Sequence, residues 1–219
     1  MRSSLTTKYV LLIIITVIIS LLSCSPDYLK KYSKLENSDI KEPVVFDHDF
    51  KKAVYKTSFT VMGKQMTGIL LIKILEDQEY RFVFVSEIGL KYFDLGISNS
   101  NDSLVFKSHY LMPALDRENI KDILFQDFSV LITNKLSNIK PVFYKETKSG
   151  NLAFTYYETN TKQVYFLNNE QDKIKQIVWK NKQCGKSEIL LSNSQTSLIQ
   201  TIKISNEKYR ILIEINMID

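Results

Sequence analysis

Apolar and polar residues alternate along most of the chain, in short runs separated by polar turns. The first clear run is Tyr55 to Met62, broken at Gly63. Met66 to Leu75 follows, with Met66, Gly68, Leu70, Ile72 and Ile74 on one face. After the polar turn Glu76-Asp77-Gln78, Glu79 to Glu87 places Tyr80, Phe82 and Phe84 on a shared face. Ile88-Gly89-Leu90 turns the chain, and Lys91 to Ile97 sets Phe93, Leu95 and Ile97 together. A turn at Asn99 to Asp102 leads into Ser103 to His109. A period of two with such short connections predicts about six consecutive strands in an antiparallel meander.

The period then changes. Between Asp116 and Thr133 the apolar residues are Ile120, Ile123, Leu124, Phe128, Leu131 and Ile132, a single stripe at helical spacing. Pro113 precedes it, Asp116 is placed to act as N-cap, and Glu118 suits the positive end of the helix dipole. Strand patterns resume at Val142 to Lys145, Leu152 to Tyr157, Gln163 to Leu167, Ile174 to Lys180, Ser187 to Leu191, Leu198 to Ile204 and Tyr209 to Met217. In the last of these Tyr209, Ile211, Ile213, Ile215 and Met217 alternate with Arg210, Leu212, Glu214 and Asn216, predicting one buried and one wetter face. The fold class is therefore α+β, mostly antiparallel β, with about six strands, one helix, then five to seven strands. A sheet of that size curls, and a mid-chain amphipathic helix is expected on its concave face, enclosing an apolar cavity or core.

The N-terminus has a different pattern. Arg2 and Lys8 form a short basic region, and Tyr9 to Leu22 is apolar except for Thr16 and Ser20. As a helix this run spans roughly 21 Å, short of the roughly 30 Å hydrocarbon core of a bilayer. It reads as a signal segment rather than a permanent span. It ends in Leu21-Leu22-Ser23-Cys24, which resembles the bacterial lipobox. That resemblance implies cleavage before Cys24 and a diacylglyceryl group on its thiol, anchoring the chain to a membrane. The expected organisation is a signal peptide at 1–23, a lipid-anchored tether at 24–50 and one domain at 51–219. The tether is polar and charged, with room for one short helix. By the rule of enteric bacteria, Ser25 rather than Asp after the cysteine implies the outer membrane, facing the periplasm. No compact acidic cluster after Cys24 points to surface display.

Composition narrows the function. Removing 23 residues leaves 196 of 219, enough for one domain with a real core. It also lowers the formal net charge from +5 to about +3, too mild to indicate nucleic acid. With Cys24 lipidated, Cys184 stands alone of the two cysteines, so no intramolecular disulfide and no CxxC site is expected. Beside Gly185, it reads as a partly buried thiol in a hairpin turn. The two histidines, His48 and His109, lie far apart and outside any HExxH pattern, so no metal ligation is assigned. Asp47 and Asp49 around His48 read as a solvated turn. No GxSxG, P-loop or GxGxxG occurs, and neither catalytic residues nor a cofactor are nominated.

One resemblance adds to this reading. The chain looks like the LolA/LolB group of bacterial lipoprotein carriers. It shares their lipobox, mature length and strand order around a mid-chain helix. It also shares a local pattern at Gly68-Ile69-Leu70-Leu71-Ile72-Lys73, Tyr80-Arg81-Phe82-Val83-Phe84-Val85 and Ile88-Gly89-Leu90-Lys91-Tyr92-Phe93-Asp94-Leu95. Gly89 to Asp94, with Asp116-Arg117 and Asp127-Phe128, also resembles lipoproteins of the Bacteroidetes type that bring no settled activity. The first resemblance implies a half-closed barrel of about eleven strands with a helical lid, holding an acyl chain or lipoprotein in an apolar cavity. The residues it nominates as lining are Phe59, Leu70, Ile72, Phe82, Phe84, Phe93 and Leu95, with Ile123 and Phe128 from the helix. It implies that Ile88 and Leu90, flanking Gly89, form a membrane-contacting tip. The alternative is a non-catalytic accessory lipoprotein of an envelope assembly, whose partners are envelope proteins and whose core is filled. Apolar residues at strand parity serve as ordinary core more often than as ligand site.

Overall fold

The computed structural model describes residues 28–36, 40, 42–46, 49–100, 103–132, 140–156, 162–168, 170, 172–193 and 199–218. The chain divides into two compact units, Met1–Lys31 and Tyr32–Asp219. Of the first, only a turn at 28–31 is described. Cys24, the signal segment, Asp47 and His48 lie outside the described residues.

Among its described residues the second unit holds thirteen strands in a single antiparallel sheet, with one helix. The strands are β1 (Tyr32–Lys34), β2 (Lys52–Val61), β3 (Lys64–Ile74), β4 (Tyr80–Val85), β5 (Lys91–Ser100) and β6 (Ser103–Leu111). After the helix α1 (Glu118–Ser129) come β7 (Val142–Glu146), β8 (Leu152–Thr155), β9 (Lys162–Leu167), β10 (Ile174–Asn181), β11 (Gly185–Asn193), β12 (Ile199–Asn206) and β13 (Ile211–Met217). Their order across the sheet is β1-β7-β8-β9-β10-β11-β12-β13-β2-β3-β4-β5-β6. The two ends of this order do not pair, so the sheet is open.

The sheet has thirteen strands rather than about eleven. The meander before the helix has five strands, β2 to β6, rather than about six; all seven segments after the helix form strands, and the remaining strand, β1, comes from the stretch expected to be tether. Tyr32-Ser33-Lys34 has no apolar alternation to announce it. It is a strand because it pairs with Glu146, Lys145 and Tyr144 of β7. Val45, Phe46 and Phe50, also from that stretch, are buried in the core.

Inside and outside follow the alternation. On β2, Ala53, Tyr55, Thr57, Phe59 and Val61 are buried, while Lys52, Val54 and Lys56 between them are exposed. Cross-strand partners continue the inner face: Phe59 opposite Ile213, Leu70 opposite Phe84, Ile72 opposite Phe82, and Phe84 opposite Phe93. Such pairs are the unit of sheet stability.

The helix shows how strongly the sheet curves. Phe128 packs on Phe82 of β4 and Phe93 of β5. Its neighbour Asp127 accepts a hydrogen bond from Trp179 of β10. Strands β10 and β4 are six steps apart in the sheet. On a flat sheet that is roughly 29 Å, far beyond the roughly 10–12 Å diameter of a helix. The sheet must therefore wrap around α1. Register shifts in β4–β5, β5–β6 and β9–β10 supply local twist.

The helix begins one turn-position later than its sequence predicts. Arg117, not Asp116, is the N-cap residue, extended at φ −122° and ψ 132°, with no side-chain cap bond. Asp116 instead pairs with Lys121 at 3.2 Å, as does Glu118 at 2.5 Å.

Two positions test this architecture. Phe82→Ala should cost about 3–5 kcal/mol, read by urea unfolding, because it removes a ring pinned between sheet and helix. Gly68→Ala should also destabilise, by about 1–3 kcal/mol, since a Cβ there would strike the Val85 carbonyl and the Ser86 backbone. A neutral result at Gly68 would show that the Ser86 turn does not cross β3 there.

Candidate functional site

Among the described residues, the concave face and the helix that covers it belong to one continuous apolar core. Helix α1 buries Ile120, Ile123, Leu124, Asp127 and Phe128, the i, i+3, i+4, i+7, i+8 stripe expected of a helix lying on a core. All nine residues nominated as lining meet here, and each is almost wholly buried: Phe59, Leu70, Ile72, Phe82, Phe84, Phe93, Leu95, Ile123 and Phe128. Their rings touch one another. Phe82 stacks on Phe128 at 4.5 Å between centroids, Phe84 lies 5.4 Å from Phe93, and Phe59 lies 6.4 Å from both Phe84 and Phe93.

A second aromatic group lies under the other half of the sheet. Phe154 stacks on Tyr165 at 4.7 Å, and Tyr156 stands edge-on to both. The Tyr165 hydroxyl donates to the Val130 carbonyl just beyond α1. Trp179 Nε1 donates to Asp127 Oδ1 at 2.8 Å. Sequence reading did not nominate this group. The alternation through Leu152 to Tyr156 carried its signal, but short strands with many polar neighbours made its inward parity hard to weigh.

Polar atoms interrupt the apolar interior. Tyr55 OH, Thr57 Oγ1, Asp127 Oδ2 and Tyr156 OH are buried without a hydrogen-bond partner among the described residues. Burial pushes the Tyr55 phenol up to about 12, so it stays neutral. Burial also pushes the Asp127 carboxyl up to about 7, against hydrogen bonds from Trp179 and Ser187 that pull it down. Ser187 in turn accepts from Asn206 Nδ2, which also donates to the Cys184 carbonyl. Cys184 is buried in the turn between β10 and β11, and burial raises its thiol pKa.

The outer face of β4–β6 is different. The Glu79 carboxyl is buried beneath Lys107, His109 and Arg81, at 3.5, 3.0 and 3.6 Å. It lies against Gly96, where any Cβ would collide with it. His109 is the extra residue of the bulge between the Asp94–Tyr110 and Leu95–Ser108 pairs, which aims its ring at Glu79. Arg81 and Lys91 both bind Asp94. Burial alone would raise Asp94, but the hydrogen bonds and positive charges of Arg81 and Lys91 together hold the carboxyl below its usual range.

Ile88 and Leu90 are not part of the interior. They sit in the turn Ser86–Leu90 between β4 and β5, 92% and 53% exposed. The turn is closed by the Ser86 amide to the Leu90 carbonyl at 2.8 Å, with Gly89 at φ +84°.

No family model matches the chain, and no curated protein matches it. Among solved structures it is similar to a domain named for outer membrane lipoprotein sorting from Vibrio parahaemolyticus. The TM-score is 0.45 at 11% identity, over 79% of this chain and 86% of that one. It is also similar to a DUF1329 family protein from Desulfovibrio piger, with a TM-score of 0.43 at 7% identity, over 78% and 85% of the two chains. Likeness at this level leaves function to be read from the residues themselves.

Asp127 gives a pH signature. Its folded pKa of about 7 exceeds that of an unfolded aspartate near 3.9. Between these values the folded state holds the extra proton, so the stability contributed by Asp127 is fully present below about pH 4 and is lost as pH rises toward 7. The slope from this group reaches at most about 1.4 kcal/mol per pH unit. Asp127→Asn should flatten that slope in urea unfolding between pH 4 and 7. An unchanged slope would place the titration elsewhere.

Proposed function

We propose that this chain is a non-enzymatic, lipid-anchored protein of the bacterial envelope. It takes an acyl chain or the lipid part of a lipoprotein between α1 and the concave face of the sheet. The observation that carries this reading is the cover: one helix of twelve residues closes an open apolar sheet from both halves at once. The interior beneath it mixes rings with hydrogen-bonding atoms left free, Tyr55 OH and Thr57 Oγ1, which a ligand's ester or amide would satisfy. The resemblance to lipoprotein carriers points the same way. Anchoring through Cys24 at the outer membrane and contact of Ile88 and Leu90 with a bilayer belong to the same reading.

A second reading is favoured by the ring contacts. The nine inner residues already pack against one another, as a filled core would. On that reading the chain is an accessory lipoprotein of an envelope assembly.

Photolabelling separates the two. The chain beginning at Ser25, which retains every described element, would be irradiated with a lipopeptide carrying a diazirine on its acyl chain. The carrier reading expects stoichiometric labelling at inner residues such as Phe59, Phe84, Phe93 or Phe128. Labelling absent from the interior, with the protein folded, would overturn it and leave the accessory reading.

A further inference from the structure

Antiparallel order places every second turn at the same end of the sheet. The registers put Met62–Gly63, Ser86–Leu90, Glu207–Arg210 and the turn 182–184 at one end, together with the start of α1. The Met62 amide meets the Arg210 carbonyl at 3.3 Å, and the Arg117 guanidinium reaches the Met62 sulfur at 3.5 Å. The turns at 75–79, 147–151 and 168–173 lie at the opposite end.

The two ends differ in chemistry. Among the described residues, the large hydrophobic side chains more than half exposed are Met62, Ile88 and Leu90, all at the first end. Met62 is held at φ +50° in the tight turn between β2 and β3. Asn or Gly would adopt that conformation with less strain and more contentedly in water, so an exposed methionine there is costly twice over. Around these tips stand the exposed cations Lys64, Lys91, Arg117, Lys182, Lys208 and Arg210, of which Lys91 is already paired with Asp94. Among the described residues the exposed carboxylates at this end are Glu36, Glu87, Glu207, Asp116 and Glu118, the last two held by Lys121. Among the described residues the opposite end instead exposes as many carboxylates as lysines: Glu76, Asp77, Glu170, Asp172 and Asp49 beside Lys51, Lys52, Lys145, Lys148 and Lys175.

We propose that the basic end is a docking surface for an anionic phospholipid bilayer, with Met62, Ile88 and Leu90 entering the interface and the cations meeting the headgroups. This inference rests on the apolar-tip reading above and adds the charge of the surface and its wider extent. A protein partner fits less well, because lysines stand among the apolar tips and interface cores are depleted of lysine. A bilayer interface accepts that mixture, since long basic side chains reach outward while the tips bury. Each cation near an anionic leaflet adds roughly fivefold to affinity, and salt weakens the effect.

Vesicle flotation of the chain beginning at Ser25 tests this without the lipid anchor. Vesicles of phosphatidylcholine mixed with phosphatidylglycerol should bind at least about tenfold better than phosphatidylcholine alone, less so as salt rises. Lys64→Glu with Lys182→Glu should erase that preference, whereas Lys148→Glu at the other end should not. Ile88→Asp with Leu90→Asp, both exposed and so compatible with folding, should remove binding to both vesicles. Equal binding to the two compositions, lost in the Ile88/Leu90 variant, would overturn the anionic docking surface and keep the apolar tip. Absence of binding to either vesicle would overturn both. Interior photolabelling is independent of all these outcomes.

Discussion

Two neighbouring side chains of one helix reach the two halves of the sheet. Phe128 stacks on Phe82 of β4, and Asp127 holds Trp179 of β10. These contacts set the curvature: strands six places apart in the sheet must both lie against one helix. The inner face then becomes concave and the outer face convex. The rings of Phe59, Phe84 and Phe93 are brought into a single cluster, and the hairpin tips are gathered at the rim. Without α1 the inner alternation of β2 to β5 would face water, an apolar surface no soluble sheet leaves uncovered.

Much of this was legible in the residue pattern, for physical reasons. In β2 to β5 and β13, large apolar residues keep strict parity, and parity decides which face a side chain takes. The stripe from Ile120 to Phe128 similarly identified α1. Other features depended on partners distant in sequence. β1 exists through its pairing with β7. The helix start moved because Asp116 found Lys121 rather than the backbone. Asp127 and Glu79 look solvent-facing in a linear reading, since charged residues are rarely buried. Each is buried because something specific receives it, an indole in one case and a bed of cations over Gly96 in the other. The exposure of Ile88 turns on where a five-residue turn points, which alternation does not encode.

The inner and outer faces handle charge in opposite ways. Outside, Asp94 and Glu79 are surrounded by Arg81, Lys91, Lys107 and His109, so their charge is matched locally. Inside, Asp127 meets only neutral donors, and the low-polarity surroundings favour its protonated form. A protein built only for rigidity gains little from such a carboxyl, whereas apolar replacements at buried ionic sites are often neutral or stabilising. Its position between helix and sheet makes it part of whatever holds the cover in place.

The middle of the sheet has a consequence for how the chain reaches this form. Strand β13 lies between β12 and β2, and Ile211 pairs with Val61, 150 positions earlier. Until β13 is available, β12 and β2 are both open edges and the two halves of the sheet are not joined. Long-range closure of this kind is slow, and unpaired edges invite wrong pairing. A chain emerging in order from a ribosome or a translocation pore therefore cannot complete its core early. It must be kept from aggregating until β13 arrives, and loss of that strand would divide the sheet in two.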